Sequence, residues 1–110
     1  MYSQLASEAD AEALVASPQP TWLFKHSTAC SVSREALAQF DEFLARNPGQ
    51  AAGVVVIQEQ RPLSNWVSNR LKFVHQSPQL FLVKAGAVLW SATHWSITAP
   101  AMEAALAKAQ

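Results

Sequence analysis

The chain has 110 residues, half of them hydrophobic, and eight basic side chains balance eight acidic ones to a formal net charge of zero. That length makes one domain, residues 1–110, and a chain of this size buries roughly two-thirds of the surface its unfolded form exposes. Balanced charge with no basic run of five or more residues argues against nucleic acid, whose phosphates demand clustered Lys and Arg. The N-terminus has neither a basic start nor an apolar stretch, so it does not read as a signal peptide. The longest apolar run, Val54 to Ile57, falls far short of the roughly 20 residues a membrane span needs.

In chain order, Ser7 followed three residues later by Asp10 marks a helix start, and early acids suit the positive end of a helix dipole. Ser17-Pro18-Gln19-Pro20 breaks that helix. Thr21 to Lys25 reads as a buried strand of aromatic, aliphatic and β-branched residues. A polar loop, His26-Ser27-Thr28-Ala29, leads to Cys30. From about Ser31 the period turns helical, with Leu37, Phe40 and Leu44 on one face. Asn47-Pro48-Gly49 stops it. Gly53 to Ile57 is a β-branched run of the kind found in central parallel strands. Pro62 opens another helix, with Leu63, Trp66, Val67 and Leu71 as its stripe. Gln79 to Val83 and Val88 to Ala92 read as a hairpin joined by Lys84-Ala85-Gly86-Ala87. The last helix starts near Thr98, with Pro100 in its first turn and Ile97 and Met102 placed as a hydrophobic staple. The order α-β-α-β-α-β-β-α closes most simply as a four-stranded mixed sheet with helices on both faces.

Cys30 is the only cysteine. It allows no internal disulfide, and a free thiol fits a reducing compartment, so a cytoplasmic location is expected. A lone cysteine is more often an inert core residue. Its place between a buried strand and a helix start changes that reading. Amide groups there lack intrahelical partners, and the dipole favours thiolate, the nucleophilic form. Ser33 stands one helical turn on, where a dithiol oxidoreductase carries its second cysteine. A serine there could donate a hydrogen bond to the Cys30 thiolate but cannot resolve a mixed disulfide. Ser77-Pro78-Gln79, just before the hairpin, is compatible with a cis bond and would lie beside the Cys30 turn. The Ser77 backbone could then pair with an extended substrate. His26, four residues upstream, is the best candidate to tune Cys30. A loop histidine is more often a plain surface residue.

His26, His75 and His94 share no ligand spacing, and no metal site is expected. Trp22, Trp66 and Trp90 read as core. The acids Glu8, Asp10, Glu12, Asp41 and Glu42 read as solvated helix faces. No Gly-rich phosphate loop is present.

Three separated segments are specific. Phe24-Lys25-His26-Ser27-Thr28 with Cys30 and Ser33, then His75-Gln76-Ser77-Pro78-Gln79, then His94-Trp95-Ser96-Ile97-Thr98, resemble in order and spacing the YtxJ family of monothiol bacilliredoxins. The resemblance covers nearly the whole chain. It implies an α/β, thioredoxin-like fold with an extra N-terminal helix. It also implies reduction of mixed disulfides between proteins and bacillithiol, a low-molecular-weight thiol. By that reading Cys30 is the nucleophile, Ser33 marks the absent resolving cysteine and Pro78 is a cis-proline. Thr28, Ser77, His94 and Trp95, with His26, are candidate substrate contacts. Bacillithiol would be a co-substrate with no bound cofactor, and the partners would be bacillithiol-modified proteins, with neither nucleic acid nor membrane. The family commonly has proline after the cysteine; here it is Ser31.

Two other classes fit a lone thiol. One is an iron–sulfur cluster carrier of the monothiol glutaredoxin type, though the Cys-Gly-Phe-Ser segment typical of those carriers is missing. The other is a thioredoxin-fold binding module without turnover.

Overall fold

The computed structural model describes all 110 residues. Five strands and four α-helices alternate along it: β1 (Ser3–Gln4), α1 (Glu8–Val15), β2 (Thr21–His26), α2 (Ser31–Arg46), β3 (Ala51–Val56), α3 (Arg61–Leu71), β4 (Gln79–Lys84), β5 (Ala87–Thr93) and α4 (Ala99–Ala109). A short 3₁₀ turn, His94–Ser96, joins β5 to α4.

The strands form one sheet in the order β1-β3-β2-β4-β5. β1 and β2 run parallel to β3, while β4 is antiparallel to both of its neighbours, β2 and β5. The four-stranded expectation is corrected by one short edge strand. Ser3 and Gln4 pair with Gly53 and Val54, and the Leu5 amide extends the ladder to the Val54 carbonyl at 2.8 Å.

Alternation along β2 sorts the core into two layers. Trp22 and Phe24 face one layer with Phe40, Phe43, Met102 and Leu106. Leu23 faces the other with Leu63, Val67, Leu71 and Phe81. All six residues of β2 are buried, as a strand covered on both faces requires. Phe24 stacks on Phe40 at 5.2 Å between centroids, and Trp22 meets Phe43 edge-on at 4.8 Å. Each such side chain contributes roughly 1.5–3 kcal/mol when fully buried. Trp66 and Trp90 pack against the two layers while half-buried.

Local signals explain the helix boundaries. Ser7 caps α1 by accepting from the Asp10 amide, and Thr98 caps α4 by accepting from the Ala101 amide. Pro62 and Pro100 sit in first turns, where a missing N–H breaks no bond. The β4–β5 turn uses positive φ at both Ala85 (50°) and Gly86 (85°), the geometry that matches strand twist in a two-residue hairpin. No helix is long and apolar enough to cross a membrane.

This architecture gathers the candidate residues at one end of the sheet. β2 ends at His26 and β4 begins at Gln79, with Lys25 opposite Gln79 in the ladder. The Cys30 turn and the Ser77–Pro78 segment therefore both lie beyond that shared end.

Candidate active site

Cys30 is the N-cap of α2, with extended backbone (φ −125°, ψ 124°) and a partly exposed side chain. Its carbonyl accepts the first intrahelical bond, from the Arg34 amide at 3.1 Å. No side chain caps the helix, and no acidic residue lies in the first turn. The leading amides of a helix lack intrahelical acceptors, and the Cys30 side chain accepts from none of them, so they stay free at the start of α2. The site offers a thiolate N–H donors and the positive end of a 16-residue helix.

Ser33 is fully buried, and its hydroxyl is already engaged. It accepts from the Ser27 amide at 2.9 Å and bonds His26 Nδ1 at 2.8 Å. The expected Ser33–Cys30 hydrogen bond is thus corrected. Ser33 shares the inward face of α2 with Ala36, Phe40 and Phe43, so its side chain points beneath the loop rather than toward the sulfur. His26 is also buried, at 7 % exposure, and lies under the site rather than on its surface. Burial, chiefly, pushes its ring below the usual histidine range, against a smaller opposing pull from Asp41. In the neutral tautomer whose Nδ1 accepts, the Ser33 hydroxyl donates to it while accepting from the Ser27 amide.

A second brace comes from Gln58, which no motif in the sequence marks. Its Oε1 accepts from the Thr28 amide at 3.0 Å, and its Nε2 donates to Ser27 Oγ at 2.7 Å. Thr28 is exposed and meets the site through its backbone. The loop 27–30 is therefore held from below by Ser33 and from the side by Gln58.

The Ser77–Pro78 bond is cis. The Pro78 carbonyl accepts from the His94 amide at 3.2 Å, and His94 adopts a left-handed conformation (φ 51°) as the chain leaves β5. Ser77 takes part in none of the backbone hydrogen bonds of turns and loops, and its hydroxyl has no partner. That leaves an unpaired backbone edge at the same end of the sheet as the thiol. Trp95 is exposed and, with Ser31, Glu35, Gln39, Thr98 and Pro100, lines a cavity of about 680 Å³ adjoining the Cys30 turn. Thus Cys30, Thr28, Ser77, Pro78, His94 and Trp95 share one end of the molecule, with His26 and Ser33 beneath. No group of three or more His, Cys, Asp or Glu side chains is gathered as metal ligands.

One further side chain stands out here. Lys25 is fully buried, with no carboxylate in salt-bridge range. Its ammonium donates to Ser68 Oγ at 2.6 Å and meets His75 Nδ1 at 3.2 Å. Burial lowers its pKa to about 8. A lysine inside an otherwise apolar strand is the signal by which sequence reading could have found it.

A lone thiol capping the helix after a central strand, opposite a proline that opens the antiparallel strand, defines a thioredoxin-fold thiol oxidoreductase. A solved protein with a thioredoxin fold, proposed to be an oxidoreductase, shares 26 % identity with this chain at a TM-score of 0.87, over 94 % of this chain and 92 % of that one. The thioredoxins of Malassezia sympodialis (12 % identity, TM-score 0.79, 99 % and 90 % covered) and Fasciola hepatica (14 %, 0.79, all of both chains) share the fold. The family model for the monothiol bacilliredoxin BrxC matches residues 3–102, and the chain belongs to that family.

Proposed function

We propose that this protein reduces mixed disulfides between proteins and bacillithiol through Cys30 alone. The observation that carries the reading is a single thiol at the N-cap of α2, with a buried serine, not a second sulfur, one turn on. The family's description as bacilliredoxins supports the choice of small thiol.

In the first step the Cys30 thiolate attacks the bacillithiol sulfur of the adduct. The protein–bacillithiol S–S bond breaks, a Cys30–bacillithiol S–S bond forms, and the substrate leaves as thiolate. In the second step an external thiolate attacks the Cys30-bound sulfur, becomes the new disulfide partner and releases Cys30 as thiolate. Electrons balance in each exchange, and thiolate is the attacking form in both. The extended substrate pairs with the free Ser77 backbone as an added edge strand. Trp95 and the cavity beside Ser31 receive the remainder of the small thiol. Ser33 and His26 hold the loop from below. A free thiol used this way needs a reducing compartment, which is the ground for placing the protein in the cytoplasm.

The test compares a bacillithiol-modified protein with the same protein carrying glutathione, following release by intact mass. Faster release of bacillithiol, lost in Cys30→Ser, is the expected result. Equal rates for both adducts would overturn the assignment of the small thiol. Colour after incubation with iron, sulfide and thiol would redirect the reading to a cluster carrier.

A further inference from the structure

We infer that Lys25 and Gln79 form a buried polar latch that positions the loop carrying Ser77, making Lys25, Gln79 and His75 positioning residues for the incoming disulfide. The inference rests on the function proposed above, in which an extended substrate pairs with Ser77.

Lys25 and Gln79 are directly opposed in the β2–β4 ladder, so their side chains leave the sheet on the same face. Both are buried, at 0 % and 2 % exposure. Both reach the same stretch of chain, Val74 to Gln76. Gln79 Nε2 donates to the Val74 carbonyl at 3.3 Å, and Gln79 Oε1 accepts from the Gln76 amide at 3.2 Å. Lys25 takes the residue between them, meeting His75 Nδ1 at 3.2 Å, and anchors itself on Ser68 Oγ of α3 at 2.6 Å. Three consecutive residues are thereby tied to two adjacent strands, and Ser77 follows directly.

These ties are otherwise hard to explain. Val74, His75 and Gln76 are exposed, and Val74 is 82 % open, so no apolar packing fixes the segment. A buried ammonium without a carboxylate opposes folding. An apolar residue at position 25 would fill the strand at less expense in stability, yet it would leave His75 untethered. The latch also depends on neutral His75, because a protonated ring has no acceptor at Nδ1. Partial desolvation of the ring, then the charges of Lys25 on β2 and Arg61 on α3, lower its pKa and so favour the neutral form.

The experiment uses the full chain and four variants: Lys25→Met, Gln79→Leu, His75→Ala and His75→Gln. Hydrogen exchange of the Gln76 amide, the hydrogen-bonded N–H of this segment, is measured without substrate. KM and kcat are measured on a protein mixed disulfide, and Cys30 is alkylated with iodoacetamide. Lys25→Met, Gln79→Leu and His75→Ala should each speed exchange in this segment about tenfold, on the scale of one lost hydrogen bond. They should raise KM by a similar factor and leave kcat and the alkylation rate within about twofold. His75→Gln, which keeps an acceptor for Lys25, should restore both readouts. Unchanged exchange of the Gln76 amide in Lys25→Met and His75→Ala would overturn the latch. So would alkylation falling in step with activity, which would place the effect on the Cys30 turn. His75 is exposed, so its variants decide the matter even if Lys25→Met fails to fold. Inactivity of the wild-type protein would overturn the proposed function, and the exchange rate of the Gln76 amide would still decide for or against the latch.

Discussion

Replacing Lys25 by methionine should stabilise the protein at neutral pH, and the gain should vanish as the pH rises. The buried ammonium has only neutral partners, Ser68 and His75, and its pKa is about 8 against an ordinary 10.5. The folded-state value lies below the unfolded one, so between about pH 8 and 10.5 the unfolded chain binds a proton that the folded chain has released. Wild-type stability therefore rises with pH across that window. Below it both states carry the proton and the full penalty is present. A gap of about two and a half pH units, at about 1.4 kcal/mol per unit, comes to about 3.5 kcal/mol, of which about 3 is recovered by pH 10.5. Methionine fills a similar volume and carries no charge, while Ser68 Oγ keeps its bond to the Ser64 carbonyl and exposed His75 turns to water. Urea unfolding of both proteins from pH 7 to 10.5 checks this, because every other titrating group is common to the pair. Their difference should shrink by about 3 kcal/mol as pH rises through the window. A difference that stays constant would refute the assignment of a desolvated ammonium to Lys25.

Other consequences are open to direct test. Ser33→Ala leaves the Ser27 amide and His26 Nδ1 without their buried partner, and should lower stability by about 1–3 kcal/mol in urea unfolding while Cys30 still accepts a small thiol. Gly53→Ala would set a methyl 2.6 Å from Leu14 Cδ1 and 2.9 Å from Leu5 Cγ, where β3 meets α1 and β1. It should cost about 1–3 kcal/mol, seen as a lowered Tm. His26 is held below the usual histidine range mainly by burial, and exposed His75 by partial desolvation of its ring together with the charges of Lys25 and Arg61. The unfolded chain thus takes up protons that the folded chain refuses, and this part of stability is complete above about pH 6.5 and declines as pH falls beneath it. NMR titration of the two rings should give midpoints below that value, and midpoints above it would contradict the burial argument.

The sequence carried the central architecture because its strongest signals arise from burial. The Val54–Ile57 run and the Thr21–Lys25 segment read as strands covered on both faces, and Val54–Val56 and Thr21–Lys25 are, with Ile57 one residue past the end of β3. Cys30 was legible for the same reason: a breaker, a buried strand and a helical period bracket it. Edge strand β1 was not. Two exposed polar residues carry no period, and their pairing is set by Gly53 and Val54, about fifty residues away. Ser33 was legible by position but misread in direction. Spacing from Cys30 says nothing about which face of α2 turns inward, and Ala36, Phe40 and Phe43 decide that. Gln58 and Ser68 escaped notice, and Gln79 was read only as the start of a strand, because polar side chains reveal their work only through distant partners, such as Lys25 with His75 fifty positions on.

These braces describe an active site whose sulfur stands alone while its surroundings are fixed. Ser33 and Gln58 secure the loop before Cys30. Gln79 and Lys25 secure the loop before Pro78. The unpaired groups between them, the leading amides of α2 and the Ser77 backbone, are the ones a thiolate and a bound disulfide would use.

The most direct measurement of one-sulfur exchange is intact mass spectrometry of the protein after reaction with a bacillithiol-modified protein substrate, in the absence of any other thiol. The account predicts one bacillithiol per chain, mapped to Cys30, with release of an equal amount of free substrate thiol and no reaction in Cys30→Ser. Substrate reduced without an adduct on Cys30, or reduced equally by Cys30→Ser, would contradict it.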